Sequence, residues 1–249
     1  MKQYFTCKRD DLIIRGRIFR HSDDVQPAFI LCHGFMADSS MCTGYAELLA
    51  GNGYTAFTFD FCGGCLKGKS GGNTTDMSVL TEIEDLRAVI RYVQSLSYIQ
   101  KDRISLLGCS QGGLVSALTA ARISEQIASL ILLYPAFCIP DDARRGRMMF
   151  SRFDPGNIPE KMWCGPMRLG ARYVKDVIDM DPFEKIRDYD GPVLYLQGTR
   201  DRIVDVHYAR RAVSEYPNCE YHEIEGAGHM FRGRYNDIAK RYIRAFTDS

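Results

Sequence analysis

The chain reads as an α/β protein with a mostly parallel eight-stranded sheet, helices on both faces and a small cap insertion. Three observations predict this. From residue 27 onward, short apolar runs alternate with longer segments whose apolar residues recur at three- and four-residue steps. Strands of this kind read as runs buried on both faces rather than as alternating ones, as a parallel sheet covered by helices requires. The alternation is then interrupted at residues 136–190 and resumes unchanged to the end of the chain.

The elements follow in order. "QYFTCKR" and "LIIRGRIFR" are strands joined by a turn at Asp10-Asp11, an antiparallel pair at one edge of the sheet. "PAFILCHG" is an apolar strand ending in glycine, and "MCTGYAELLAGNG" is a helix closed by Gly51-Asn52-Gly53. "YTAFTFDF" is a strand. "SVLTEIEDLRAVIRYVQSL" is a long amphipathic helix carrying Leu80, Ile83, Leu86, Ile90 and Val93 on one face. "RISLLGC" and "IASLILLYPA" are strands on either side of the small-residue helix "QGGLVSALTAARI". After the interruption come the strand "GPVLYLQG", the helix "HYARRAVSEYP", the strand "CEYHEIEG" and the closing helix "RYNDIAKRYIRAF". Residues 1–135 and 191–249 thus form the core. Residues 136–190 hold five prolines, the single tryptophan and an arginine cluster at 144–152. A loop this long needs elements of its own, and it reads as a cap of short helices over the carboxyl ends of the strands, where open α/β sheets bind ligands.

Composition narrows the function classes. A formal net charge of +1 gives no electrostatic basis for binding nucleic acid or an anionic membrane surface. No apolar run approaches the roughly 18 residues of a membrane span. The first residues lack a signal peptide's apolar stretch, so a cytoplasmic location is expected. Nine scattered cysteines fit reduced thiols better than a disulfide framework. Cys62 and Cys65 stand at C-x-x-C spacing in "FCGGC", but no second pair accompanies them and no histidine is near in sequence. They read as thiols in a tight glycine turn, and neither a metal nor an organic cofactor is expected. A homodimer stays open as the assembly.

The chemistry concentrates around "GCSQGG", residues 108–113, a G-x-S-x-G at the joint between a strand and a helix. A sharp joint needs small neighbours. Gly108 and Gly112 supply them, and Gly113 lets the helix approach the sheet. The helix start also offers free backbone N–H groups to a negative oxygen. A serine hydroxyl is a weak nucleophile alone, so a base and an orienting acid must follow, each on a loop after a later strand. Asp201 lies three residues past the strand ending at Gly198, and His229 four residues past Glu225. In this reading Ser110 attacks a carbonyl, His229 takes and returns its proton, and Asp201 fixes the imidazole. Asp205 and Glu225 are rival acids, Asp205 doubling as a helix N-cap. His33 reads as a loop-shaping residue bonded to backbone, while His21, His207 and His222 sit in turn, helix-start and strand positions. The oxyanion needs two N–H donors aimed at one point, and the backbones of Gln111 and of Phe35 in "HGF" are placed to supply them.

Taken together, "CHGF", "GCSQGG", "GTRDRIV" and "GAGH" resemble the α/β-hydrolase superfamily over essentially the whole chain. More narrowly the chain is similar to bacterial cinnamoyl and feruloyl esterases, through "HGF", "SQGG", "LLYPAFCIPDDARRG" and "FDPGNIP". The resemblance implies a serine carboxylesterase acting on small or hydroxycinnamoyl-type esters. Its cap would form an aromatic acyl pocket in which Asp142 and Tyr173 meet a phenolic hydroxyl. A third position, a glutamine in some members, falls near Met149, which cannot donate that hydrogen bond. The family's Asn-Gly-His-Gly turn is replaced here by "CGGCLKGKSGG". Trp163, Met148, Met149, Phe150 and Phe153 suit an aromatic or acyl-chain pocket, and the arginines at 144–152 suit a solvated helix face. A thioesterase, a monoacylglycerol-type lipase or a peptidase on the same scaffold is the alternative, with a non-catalytic binding protein further off.

Overall fold

The computed structural model describes residues 2–248. Its centre is an eight-stranded sheet. The strands are β1 (Lys2–Arg9), β2 (Leu12–Phe19), β3 (Gln26–Cys32), β4 (Thr55–Phe59), β5 (Ile99–Cys109), β6 (Leu130–Leu133), β11 (Val193–Gly198) and β12 (Cys219–Ile224). Their order across the sheet is β1-β2-β4-β3-β5-β6-β11-β12. Only the β1/β2 and β2/β4 pairs are antiparallel; all later neighbours run parallel. The turn at Asp10 carries φ 51°, the left-handed value that closes so short a connection.

Alternating side chains of the central strands feed two separate cores. Leu106 points into the one covered by helices α2 (Val79–Gln94), α3 (Gln111–Arg122) and α7 (Val206–Glu215). Leu107 and Cys109 point into the other, covered by α1 (Thr43–Gly51) and α8 (Arg234–Asp248). Local chemistry sets the helix starts. Ser78 and Thr81 form a reciprocal capping box at α2, and Asp205 caps α7 through the His207 N–H.

The segment between β6 and β11 holds short helices α4 (Ile139–Arg144), α5 (Ala171–Lys175) and α6 (Pro182–Ile186). It also holds two hairpins where short helices alone were expected. These are β7 (Arg147–Met148) with β8 (Ser151–Arg152), and β9 (Lys161–Cys164) with β10 (Met167–Gly170). Strands of two and four residues are too short to show a two-residue period in sequence. The β9 alternation, exposed–buried–exposed–buried, becomes visible only once the core face is known. Tyr173, Val174 and Phe183 of this segment join the same apolar core as α2 and α3.

Candidate active site

β5 runs straight into α3 through Ser110, whose backbone sits at φ 53°, ψ −120°. That is a strained position for a residue with a side chain, and its surroundings hold it there. Ser110 N–H donates to Leu133 O at 3.0 Å, and Ala136 N–H donates to Ser110 O at 2.9 Å. The two flanking glycines are required sterically. A Cβ on Gly108 would lie 2.4 Å from Gly112 O, and one on Gly112 would lie 2.3 Å from His33 O.

Three loops at the carboxyl edge of the sheet bring Ser110, His229 and Asp201 together. His229 Nε2 lies 3.0 Å from Ser110 Oγ, and His229 Nδ1 lies 2.7 Å from Asp201 Oδ2. With Nδ1–H donating to the carboxylate, Nε2 is left to accept the serine proton. Asp201 also accepts the Ile203 and Val204 N–H groups at 2.9 and 3.0 Å on Oδ1, and Gln197 Nε2 at 3.1 Å on Oδ2. Burial by itself would raise its carboxyl. The His229 hydrogen bond and charge, with the two loop N–H groups, outweigh that and hold it below the ordinary carboxylate range.

The rival groups are occupied elsewhere. Asp205 caps α7 and also meets His207 Nδ1 at 2.9 Å, and Glu225 is exposed. Ser105, the other serine near this turn, lies within β5 and is bonded to Ser129 Oγ at 2.8 Å. His33 is buried, with Nδ1 at 2.8 Å from Gly34 O and Nε2 accepting the Phe61 N–H at 3.1 Å. Burial pushes its ring below the ordinary imidazole value, and its Nε2 lone pair, taken by the Phe61 backbone N–H, is not free to accept a serine proton. The Cys65 thiol also reaches Nε2, at 3.2 Å. His33, Asp60 and Cys65 bring ligand-type atoms within 4.8 Å of one another. The lone pair of Nε2 is already engaged by Phe61, and the Asp60 oxygens accept the Ser39 and Lys69 N–H groups. This cluster braces the "HGF" loop against the loop after β4. Cys65 thus has a histidine near in space although none is near in sequence.

Among the described residues the Phe35 and Gln111 backbone N–H groups have no hydrogen-bond partner, which leaves both free for an oxyanion. Next to them opens a mostly apolar cavity of about 120 Å³. Ser110, His229, Asp142, Met148, Met149 and Tyr173 all contribute to its wall. Its volume is close to the ~150 Å³ of an apolar protein cavity that takes up benzene. Asp142 is paired with Arg147 at 3.2 Å, and burial still raises its carboxyl above the ordinary value.

Trp163 corrects the sequence reading. It is 65% exposed, lies under the Arg168 guanidinium and does not line the cavity. On β9 the inward positions belong to Met162 and Cys164, so Lys161 and Trp163 face outward. Phe150 is likewise exposed, at 71%, and Phe153 packs on the core. Arg144 is no free surface charge; it donates to the Ile178 and Met180 carbonyls and pairs with Asp141.

Gln197 and Tyr134 were not singled out from sequence. Gln197 is the one amide in an otherwise apolar buried strand, and that contrast was the available signal. Tyr134, at φ 40°, packs edge-on against the His229 ring at 4.7 Å; in "LLYPA" it looks like any core aromatic.

Gln111 carries a further buried network. Its Nε2 donates to Glu82 Oε2 at 2.8 Å, and its Oε1 accepts the Tyr173 hydroxyl. Burial, with a smaller contribution from the Asp85 charge, pushes the Glu82 carboxyl from 4.5 to about 8, against the opposing pull of the Gln111 hydrogen bond. The folded chain therefore holds a proton that the unfolded chain releases above its ordinary value, so this group's contribution to stability declines as pH rises from about 4.5 through 8. Glu82→Gln cannot ionise. Its Tm should match the wild type near pH 5 and exceed it by roughly ten degrees at pH 9, on a scale of ~2–4 °C per kcal/mol for a chain of this size. Thermal melts across that range check it; a constant Tm gap contradicts it.

The comparisons fit this geometry. Residues 27–159 match the α/β hydrolase fold model, so the chain belongs to that family. Fold and site together make the arrangement a serine hydrolase requires. The quorum-quenching protein AidA of Acinetobacter baumannii is 28% identical, over 90% of this chain and 87% of its own length. The uncharacterized peptidase YtmA of Bacillus subtilis is 26% identical over 57% of this chain; the chain spans about half the length of that relative, 52%. Among solved structures, Est1E from Butyrivibrio proteoclasticus with bound ferulic acid superposes with a TM-score of 0.89 at 26% identity, covering 98% of each chain. Among the described residues no helix is long and apolar enough to cross a membrane.

Proposed function

We propose that this protein is a serine carboxylesterase that hydrolyses small or aromatic esters of the hydroxycinnamoyl type through an acyl-enzyme. The observation that carries the reading is the Ser110–His229–Asp201 relay opening onto a ring-sized apolar cavity beside two unpaired N–H groups. His229 Nε2 takes the Ser110 proton as Oγ attacks the ester carbonyl. The oxyanion forms between the Phe35 and Gln111 N–H groups, and the imidazolium, steadied by Asp201, protonates the departing alkoxide. Water, activated by the same imidazole, then releases the acid and restores the serine. The acyl group occupies the cavity, with Asp142 and Tyr173 as polar contacts and Met149 as an apolar one. The ferulic acid in Est1E supports an aromatic acid as occupant. A walled cavity of this size favours a small acyl group over an extended peptide.

The test is a substrate panel of p-nitrophenyl acetate, p-nitrophenyl butyrate, methyl cinnamate, methyl ferulate and an acyl-CoA. We expect turnover of the aryl esters and of both methyl esters, with a p-nitrophenol burst if deacylation is slow. Cleavage of short-chain esters without methyl ferulate removes the hydroxycinnamoyl assignment. Preference for the acyl-CoA by a factor of ten or more in kcat/KM makes the protein a thioesterase instead.

A further inference from the structure

Glu82 is a buried carboxyl on α2 that takes no part in the acyl-transfer steps, and it is 1% exposed. Taking a carboxyl out of water is costly, and an apolar residue would fill the same space without that cost. What the carboxyl does is grip Gln111. The Gln111 amide is held at both ends, its Nε2 by Glu82 from α2 and its Oε1 by the Tyr173 hydroxyl from α5. Gln111 is itself 1% exposed and opens α3 immediately after the strained Ser110. A Cβ at position 64 would stand 2.7 Å from Glu82 Oε1, so the glycine there leaves the carboxyl its place.

We propose that Glu82 is a positioning residue for the oxyanion hole: acting through the Gln111 side chain, it fixes the direction of the Gln111 backbone N–H. The inference rests on the esterase reading above, in which that N–H receives the oxyanion. A peptide plane anchored only by its own helix turn can tilt. One anchored also through its side chain to α2 and α5 stays aimed, and oxyanion stabilisation depends on donors that need no reorganisation as charge develops.

The experiment compares wild type with Glu82→Gln, Glu82→Met, Gln111→Met and the Glu82→Met/Gln111→Met double variant. Readouts are kcat/KM for p-nitrophenyl acetate, Tm, and Ki for an aryl trifluoromethyl ketone, whose adduct with a serine places an oxyanion in the hole. Glu82→Met should lower kcat/KM about tenfold, a fraction of the 10²–10³ lost when a donor is removed outright. The ketone Ki should rise by the same factor. Glu82→Gln keeps an acceptor for Nε2 and should restore most of the rate. The double variant should be no worse than the poorer single one, because both break one linkage. Glu82→Met that melts earlier but keeps wild-type kcat/KM and Ki overturns the proposal, as do losses that multiply in the double variant. If Glu82→Met does not fold, Gln111→Met carries the same two expectations. A wild-type protein with no ester turnover and no labelling by a fluorophosphonate overturns the esterase reading and this inference with it. An active wild type with an indifferent Glu82→Met sinks this inference alone.

Discussion

Ser110→Ala should lower kcat/KM for p-nitrophenyl acetate by about 10⁵–10⁶-fold, the scale on which serine hydrolases lose activity when the nucleophile is deleted. The fold should survive. Among the described residues the only hydrogen-bond partner of Ser110 Oγ is His229 Nε2, and the backbone bonds to Leu133 and Ala136 are untouched. Alanine keeps the Cβ that the φ 53° position already accommodates, so Tm should change little. Labelling by a fluorophosphonate should disappear in parallel. No other hydroxyl in the cavity wall can replace Oγ, because the Tyr173 hydroxyl is donated to Gln111. Burial also keeps that phenol well above its ordinary value and so protonated. A variant that keeps more than a tenth of wild-type turnover would show that ester cleavage does not pass through Ser110.

Much of this site could be read from sequence because each of its residues announces a backbone event. Ser110, Asp201 and His229 each follow a strand that ends in or near glycine, and ends of parallel strands share one edge of the sheet. Asp201 separates from Asp205 by the same logic, since the latter stands where a helix begins and is needed there as a cap. What stayed hidden depends on contacts between distant segments. Glu82 precedes Gln111 by 29 residues, and the Tyr173 hydroxyl comes from 62 residues beyond it. In sequence Glu82 is one more acid on an amphipathic helix, and only the packing of α2 against α3 makes it a buried one. Trp163 was misplaced for the converse reason. Its size suggested a pocket wall, but a four-residue strand decides inward from outward by register, and a one-residue shift reverses it.

The acid of the relay is open to an independent test, because its carboxylate does two things that an amide cannot do at once. Asp201 accepts four donors: His229 Nδ1–H, Gln197 Nε2–H and the Ile203 and Val204 N–H groups. Asparagine brings one acceptor oxygen and one NH₂. If its oxygen stays with the loop N–H groups, its NH₂ faces His229 Nδ1, which must then become an acceptor. The ring proton moves to Nε2, and the imidazole can no longer take the Ser110 proton. Asp201→Asn should therefore cut kcat by about 10⁴-fold. The stability effect has a defined sign. The Asp201 carboxyl is held below its ordinary 3.8, so its contribution is present above that value and lost as pH falls through the lower folded-state one. The variant should melt below wild type at pH 7, and the gap should close as pH drops below about 4, if both proteins stay folded there. Melts at both ends of that range, with kcat at neutral pH, test the two effects separately. Should Asp201→Asn keep wild-type kcat while Asp205→Asn or Glu225→Gln loses it, the orienting acid is one of those two, and the 2.7 Å contact between Asp201 and His229 has no part in turnover.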